Sequence, residues 1–380
     1  MRIAVLTNAF PPQTRGGAGQ IAKLQADWLA AHGHDVHAFT VEPFAADAES
    51  PIQVTAFKPR TSAKFAALGK TPAVLRLLFH LEDLAPNLAA VDAIRNWKPD
   101  VLLTHNVTGC GWGTARILKE SGLRWLHVLH DVQMFEPSGL RYYGESNFCC
   151  MRKWRKFWSA RRKRAFGLPD AVISPTRWLL EQHRANGLFR DATCEVVPNP
   201  MPTNEVRSTE CGVRDLRDDV IYIGRLAEDK GADLLLAAWN KLETKPGRLV
   251  LVGDGPLRDG CGSLDPHSVE CVGQLGHADA MERLACAKLL VMPSRVMENQ
   301  PTVLLEAVAL GKPVVAADVG GVRETLDGYG TLFKPNDAED LARALRDKKT
   351  YDADWPIGRR LIERHNQDRV MGRLTELLSK

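Results

Sequence analysis

Val220-Ile221-Tyr222-Ile223-Gly224-Arg225-Leu226-Ala227-Glu228-Asp229-Lys230-Gly231 passes in twelve residues from an apolar, β-branched run, through a charged turn, to a glycine that opens a helical pattern over 231–241. A strand buried on both faces reads as a short continuous apolar run, and joining it to a parallel neighbour requires a helical crossover. The stretch therefore opens a strand–helix–strand unit. The same grammar continues downstream: strands are predicted at 249–252, 269–272, 289–292, 314–317 and 331–333, with helices at 277–286, 301–310 and about 337–346. Gly311 and Pro313 stop one of these helices, and Asp337 is placed to cap another.

Upstream of Val220, residues 195–219, with Pro198, Pro200 and Pro202 and then a charged, apolar-poor run to Asp219, mark a boundary. Before it the pattern begins in the same way. A strand at 2–7 is broken by Pro11 and Pro12, and Gly16, Gly17 and Gly19 precede a helix with Ile21, Leu24, Trp28 and Leu29 on one face. Gly33 ends that helix and a second strand follows at 36–41. Residues 43–90 give no clear assignment. Strands at 101–104, 125–129 and 171–173 then alternate with helices at 111–121 and after Pro175 and Thr176. The expected fold is α/β, with two Rossmann-like, doubly wound parallel-sheet domains in tandem. Such sheets bind ligands beyond the carboxyl ends of their strands, which places the expected site in a cleft between the domains.

Composition agrees with a soluble two-domain chain: 380 residues, 44% hydrophobic, 25% charged and 7% aromatic. No apolar run approaches the roughly 20 residues of a membrane-spanning helix. The first six residues, Met1 to Leu6, are apolar too briefly for a signal peptide, so a cytoplasmic location is expected. Fifty Lys and Arg against 46 Asp and Glu give a net charge of +4. Eight of those cations and no acid lie in 151–166 (MRKWRKFWSARRKRAF), which leaves the remainder at −4 and argues against general nucleic-acid binding. The eight cysteines form no C-x-x-C pair and read as reduced thiols; Cys149 and Cys150, with His127 and His130, match no usual zinc spacing.

Three constellations carry chemistry. Gly16, Gly17 and Gly19 lie between a strand and a helix, where backbone N–H groups favour an anion, although glycines there also serve simply to turn the chain. Arg225 and Lys230 stand at a strand end beside a helix start, as two cations should for a diphosphate leaving group. The alternative is a solvated Lys230 and an Arg225 paired with Glu228 or Asp229. Glu298 and Glu306, with seven residues between them, flank Pro301; they would face the same strand ends and accept from sugar hydroxyls, or else cap a helix and decorate a surface. The triplet Asp352-Ala353-Asp354 follows no strand and reads as a surface turn, so no metal site is expected.

Taken in order, these pieces resemble the GT-B glycosyltransferases, specifically the retaining family 4. The resemblance runs through the glycine loop at 16–19, His130-Asp131, DAVISPT at 170–176, VVPNP at 196–200, YIGRLAEDKG at 222–231, LVGDGP at 251–256 and the two glutamates of 298–306. It implies an acceptor-binding domain at 1–198, a nucleotide-sugar domain at 199–356 and a C-terminal helix, 357–380, crossing back to the first domain. It also implies that Arg225 and Lys230 bind the donor diphosphate, Glu306 the ribose, and Glu298 with the backbone of Asn299, Gln300, Pro301 and Thr302 the transferred sugar. Gly16 and Gly17 would approach the donor, a UDP- or GDP-sugar. His130 would lie near sugar and acceptor, its tautomer set by Asp131 or another acceptor. The implied enzyme is a metal-independent hexosyltransferase with no cofactor beyond its donor, acting on a glycan or lipid-linked acceptor in bacterial polysaccharide or glycolipid synthesis.

The chain departs from the family where Pro200 follows Asn199, and where Asn299 and Gln300 follow the first glutamate. The second departure touches the sugar pocket and leaves the donor sugar open. Written as a helix, the basic segment places Trp154, Phe157 and Trp158 on one face among cations, as in a helix lying on anionic lipid at the inner face of a membrane. The alternative is a solvated basic helix whose aromatics pack on the domain. Two other functions are weighed: a non-catalytic scaffold of the same fold, disfavoured by the intact Arg225, Lys230, Glu298 and Glu306, and a nicotinamide-dependent dehydrogenase, disfavoured because the first loop lacks G-x-G-x-x-G.

Overall fold

The computed structural model describes residues 1–11, 17–42, 52–59, 73–136, 141–143, 152–201, 218–258, 265 and 267–380, with side chains for all of these except 73–77 and 152–155. The chain forms two compact units, one of Met1–Leu140, Phe148–Asn199 and Val370–Lys380, the other of Arg141–Asn147 and Pro200–Arg369. The main division falls one residue from the sequence boundary. The returning segment is shorter than 357–380. Two helices occupy that stretch, Trp355–Arg364 and Gln367–Ser379, and only residues from Val370 onward belong to the first unit.

The first unit is built on seven parallel strands: β1 Arg2–Leu6, β2 Asp35–Val41, β3 Gln53–Phe57, β4 Val101–Thr104, β5 Arg124–Val128, β6 Ala171–Ser174 and β7 Thr193–Val196. Their order is β3-β2-β1-β4-β5-β6-β7. Successive side chains point to opposite faces, so β1 sends Ala4 and Leu6 into one core with Trp125, Leu102 and Phe166. Ile3 and Val5 enter another with Leu29, Met371 and Leu374. The second face is thus covered partly by the returning C-terminal helix, whose Arg373 also binds Glu195 of β7.

The second unit has six parallel strands: β8 Asp219–Ile223, β9 Arg248–Val252, β10 Val269–Gly273, β11 Leu289–Met292, β12 Val314–Ala317 and β13 Thr331–Phe333, in the order β10-β9-β8-β11-β12-β13. Both sheets grow outward from their first strand in one direction and then reverse. The reversal lies between β1 and β4 in one and between β8 and β11 in the other, where doubly wound sheets open a ligand crevice.

Predicted and observed elements differ mainly between 43 and 100. The structure adds edge strand β3 and helices Ala73–Glu82 and Leu88–Trp97. The last starts at Asn87, whose side chain accepts from Ala90 N. Strand β7 also runs into the predicted boundary, up to the residue before Val197-Pro198.

Candidate functional site

In the second unit, β8 ends at Ile223 and the chain turns through Gly224 to Arg225. The Tyr222 hydroxyl donates to the Arg225 carbonyl at 2.6 Å, fixing the turn from beneath. A Cβ on Gly224 would stand 3.1 Å from that hydroxyl oxygen. The turn closes with a short 3₁₀ segment, Glu228–Lys230, before helix Ala232–Asn240. Gly231 between them has φ +73°, and a Cβ there would lie 1.9 Å from the Pro293 carbonyl oxygen. Only glycine lets the loop after β8 meet the loop after β11 so closely.

That approach brings Lys230 to Glu298, sixty-eight positions away, with Nζ donating to Oε1 at 2.7 Å. The same oxygen accepts from Ser294 Oγ at 2.8 Å. The Glu298 carbonyl accepts from Gly321 N at 2.8 Å, so backbone and side chain are both held. Arg225 donates to buried Asp229 at 2.5 Å while its own side chain stays 54% exposed. The alternative reading of Arg225 as paired with Asp229 therefore describes the ligand-free protein, but Lys230 is ion-paired rather than simply solvated. Pro301 is the N-cap of helix Thr302–Ala309, one position earlier than the helical role expected for it. Gln300 beside it is buried. Glu306, within the helix and only 8% exposed at its side chain, meets His277 Nε2 at 3.0 Å; His277 is the first residue of helix His277–Cys286.

Arg225, Lys230, Glu298 and the 299–302 backbone thus gather at the β8/β11 reversal. Two cations of differing exposure and two carboxylates, Glu298 held by Lys230 and Ser294 and Glu306 by His277, can exchange partners for phosphate oxygens and hydroxyls. Asp229 was offered by the sequence as a partner of Arg225, whereas Ser294 and His277 were missed; His277 reaches Glu306 from a different helix, a placement that composition does not show.

In the first unit Gly17 opens helix Gly17–Ala31 and is exposed, while Gly16 lies outside the described residues. His130 follows β5. Its Nε2 lies 2.8 Å from Nδ1 of His105, which follows β4. Asp131 does not face this bond. Its carboxylate accepts from Gln133 N at 2.7 Å and Asn106 Nδ2 at 3.1 Å, so the tautomer partner of His130 is a second histidine rather than Asp131. Burial pushes His130 down to about 4 and Asp131 up to about 6. His105, fully buried, is held well below the usual histidine range by burial and by His130.

The basic segment forms helix Arg152–Phe166. Trp158 is 4% exposed and Phe157 42%, so the two do not share a face; the side chain of Trp154 lies outside the described residues. Arg162 turns inward as well. It donates to the Gln133 carbonyl and lies over the rings of Trp112 at 4.7 Å and Trp158 at 5.4 Å. Burial lowers Arg162 to about 10, opposed by Asp83, Asp131 and Glu136. Asp83, raised to about 6 by burial, accepts from Gly109 N and Gly111 N. The predicted lipid-facing stripe loses Trp158 because this helix must cover a buried charge cluster.

His127 Nδ1 lies 2.8 Å from Thr104 Oγ1, and Cys149 and Cys150 lie outside the described residues. No grouping of three or more His, Cys, Asp or Glu suited to a metal occurs among the described residues. Asp354 of the Asp352-Ala353-Asp354 triplet caps helix Trp355–Arg364, accepting from Ile357 N.

Residues 16–200 match the family described as glycosyl transferase 4-like domain, and residues 217–348 the family described as glycosyl transferases group 1. A Bacillus subtilis glycosyltransferase named for teichuronic acid biosynthesis, TuaC, is 25% identical over 368 residues, covering 91% of this chain and 88% of its own. Glycogen synthase of Mycobacterium tuberculosis is 26% identical over 382 residues, covering 91% and 85%. Among solved structures, sucrose-phosphate synthase from Thermosynechococcus elongatus matches with TM-score 0.75 at 21% identity, over 99% of this chain and 98% of that one. HepE of Anabaena, in complex with UDP and glucose, matches with TM-score 0.72 at 18% identity, over 100% and 99%.

Proposed function

This chain belongs to the GT-B glycosyltransferases of family 4, and from that premise we propose that it transfers a hexose, with retention of configuration, from a nucleoside-diphosphate sugar to a glycan or lipid-linked saccharide in bacterial polysaccharide or glycolipid synthesis. The observation that carries the proposal is the convergence of Arg225, Lys230 and Glu298 at the β8/β11 reversal. In the proposed reaction the bond from the anomeric carbon to the diphosphate oxygen breaks, and one to the acceptor oxygen forms on the same face. The acceptor proton passes to the departing diphosphate. Arg225 and Lys230 stabilise the charge that gathers on that leaving group, a role that elsewhere falls to a metal. Glu306 accepts from the ribose hydroxyls, Glu298 and the backbone of Asn299 to Thr302 orient the sugar, and His130 meets a hydroxyl of sugar or acceptor.

The HepE complex with UDP and glucose makes UDP-sugars the first donors to test, with GDP-sugars beside them. Nucleotide release is expected with one of these donors and a saccharide acceptor. Arg225→Ala, Lys230→Ala and Glu306→Ala should each lower kcat/KM by at least tenfold, the factor that about 1.4 kcal/mol represents. Thermal stabilisation by UDP or GDP without turnover on any donor would instead favour the scaffold reading. We also propose that the outward side of helix Arg152–Phe166 rests on anionic lipid. Lys156, Arg161, Lys163 and Arg164 are exposed there, and Arg161 lies over the exposed ring of Phe157 at 4.7 Å.

A further inference from the structure

Arg141, Tyr142 and Tyr143 lie in the chain between β5 and helix Arg152–Phe166, both elements of the first unit, yet they belong to the second. They run antiparallel to the loop that follows β11, in an isolated bridge outside both sheets that sets Tyr142 opposite Val296. Met297 N donates to the Arg141 carbonyl at 2.7 Å, and Tyr143 N donates to the Arg295 carbonyl at 2.9 Å. Tyr142 and Val296 are therefore the close, non-hydrogen-bonded pair of an antiparallel ladder, enclosed by both of its bonds. The Tyr143 carbonyl in turn accepts from Asn336 Nδ2 at 3.4 Å, just beyond β13, so this short strap is also tied to the second unit at its far end.

What the strap holds is the approach to Glu298. In an irregular loop every backbone N–H and C=O still needs a partner. Arg295 N finds the Asp229 carbonyl at 3.0 Å, and the Glu298 carbonyl accepts from Gly321 N at 2.8 Å. Between these anchors the Arg295 carbonyl and the Met297 N–H are both taken by the strap, and Val296 is buried. Met297 immediately precedes Glu298. The glutamate is thus clamped from two sides, by Arg141 through Met297 N and by Gly321 at its own carbonyl, and Lys230 and Ser294 meet a carboxylate whose backbone is already fixed. The diphosphate side is built differently: Arg225 and Lys230 stand on the loop after β8, whose turn is set by the Tyr222 hydroxyl and by the close approach at Gly231.

We propose that residues 141–143 are a positioning strap for the donor's sugar: their backbone holds the loop after β11 in the register that presents Glu298 and the 299–302 backbone. A stretch of chain from between two first-unit elements thereby completes a site in the second unit. The role rests on the proposed sugar transfer, whereas the backbone pairing does not.

Two measurements test the assignment. In the ligand-free wild-type protein, exchange of the Met297 amide hydrogen is expected to be slowed about a hundredfold relative to unstructured chain. Tyr143→Pro, which removes the N–H that the Arg295 carbonyl accepts, should lose about tenfold of that protection, and Tyr143→Ala, which keeps the N–H and drops the ring, should retain it. An unprotected Met297 amide in the wild type overturns the proposal, whether or not Tyr143→Pro folds. In the second, Tyr143→Pro is expected to lower kcat/KM for the sugar donor about tenfold while the Kd for UDP or GDP weakens by less than about twofold, with Tyr143→Ala near wild type. If Tyr143→Pro does not fold, Tyr143→Gly, which loosens the same backbone, replaces it in the comparison with Tyr143→Ala and should show the same losses in smaller measure. Equal losses with Ala would place the effect in the tyrosine ring, a parallel loss of nucleotide binding would make it a general loosening of the second unit, and no loss would leave the loop independent of the strap; each overturns the positioning role. A wild-type protein that turns over no donor defeats the proposed function, and Met297 exchange still decides whether the strap holds the loop.

Discussion

In the proposed donor site, Lys230 and Glu298 satisfy each other before any ligand arrives. Their 2.7 Å contact joins two groups assigned to different parts of the donor, diphosphate and sugar. A diphosphate that recruits Lys230 must first compete with Glu298, and its arrival frees a carboxylate oxygen for sugar hydroxyls. The two halves of the donor are thus coupled through one proton-rich contact. Glu298→Gln should therefore tighten binding of the free nucleoside diphosphate about fivefold, from the ~1 kcal/mol of a partly exposed ion pair, while lowering sugar transfer more than tenfold. Calorimetry with UDP and GDP checks the first effect; unchanged or weaker diphosphate binding would show that the pair does not compete. Residue types at strand ends were legible: spelling and spacing singled out Arg225, Lys230 and Glu298, which the fold gathers at the β8/β11 reversal. Their pairing across loops was not. Lys230 meets Glu298 and Glu306 meets His277 across loops and helix starts far apart in sequence, which the order of the strands brings together.

Among the elements, helix Arg152–Phe166 best separates what periodicity reveals from what it hides. Its cationic bias is plain, yet the spacing of Phe157 and Trp158 does not say which ring faces inward. That is settled by Arg162, which is 1% exposed and needs the ring of Trp158, the Gln133 carbonyl and nearby carboxylates to offset its burial. If the exposed cations contact lipid, charge reversal at Lys156, Arg161 and Arg164 to Glu should reduce co-sedimentation with vesicles containing anionic lipid at least fivefold. Donor turnover with a soluble acceptor should be unchanged, and equal vesicle binding by variant and wild type would defeat the lipid proposal. Elsewhere, helix His277–Cys286 was predicted to its ends because apolar spacing and its flanking turns agree. Edge strand Gln53–Phe57 was not: only Phe57 in it is buried, so it lacks the continuous apolar run of a central strand.

For the whole molecule, the buried titratable groups of the first unit predict how stability follows pH. His105, His127, His130 and His183 are all pushed down by burial, the last three to about 3, 4 and 4. Their contribution is present above the ordinary histidine value near 6.5 and is lost as pH falls toward the folded values, because the unfolded chain takes up protons first. Asp83 and Asp131, raised to about 6 by burial, act oppositely: their contribution is present below about 4 and is lost as pH rises through about 6. Four histidines against two aspartates leave a net destabilisation on acidification between pH 6 and 4, at most about 2.7 kcal/mol per pH unit. The urea midpoint should fall from pH 7 to pH 5; a rise would show that the aspartates dominate. The two-unit architecture was legible because tandem repetition of strand and helix survives errors at individual boundaries; within the returning stretch expected at 357–380, residues 370–380 are allocated to the first unit. That allocation sets an order of events during synthesis. Val370, Met371, Leu374, Leu377 and Leu378 cover the sheet face formed by Ile3, Val5 and Leu103, yet the ribosome delivers them only after all of Pro200–Arg369. Throughout that interval the first sheet waits with one apolar face lacking its final cover, so the first unit completes its core only when the second has been made.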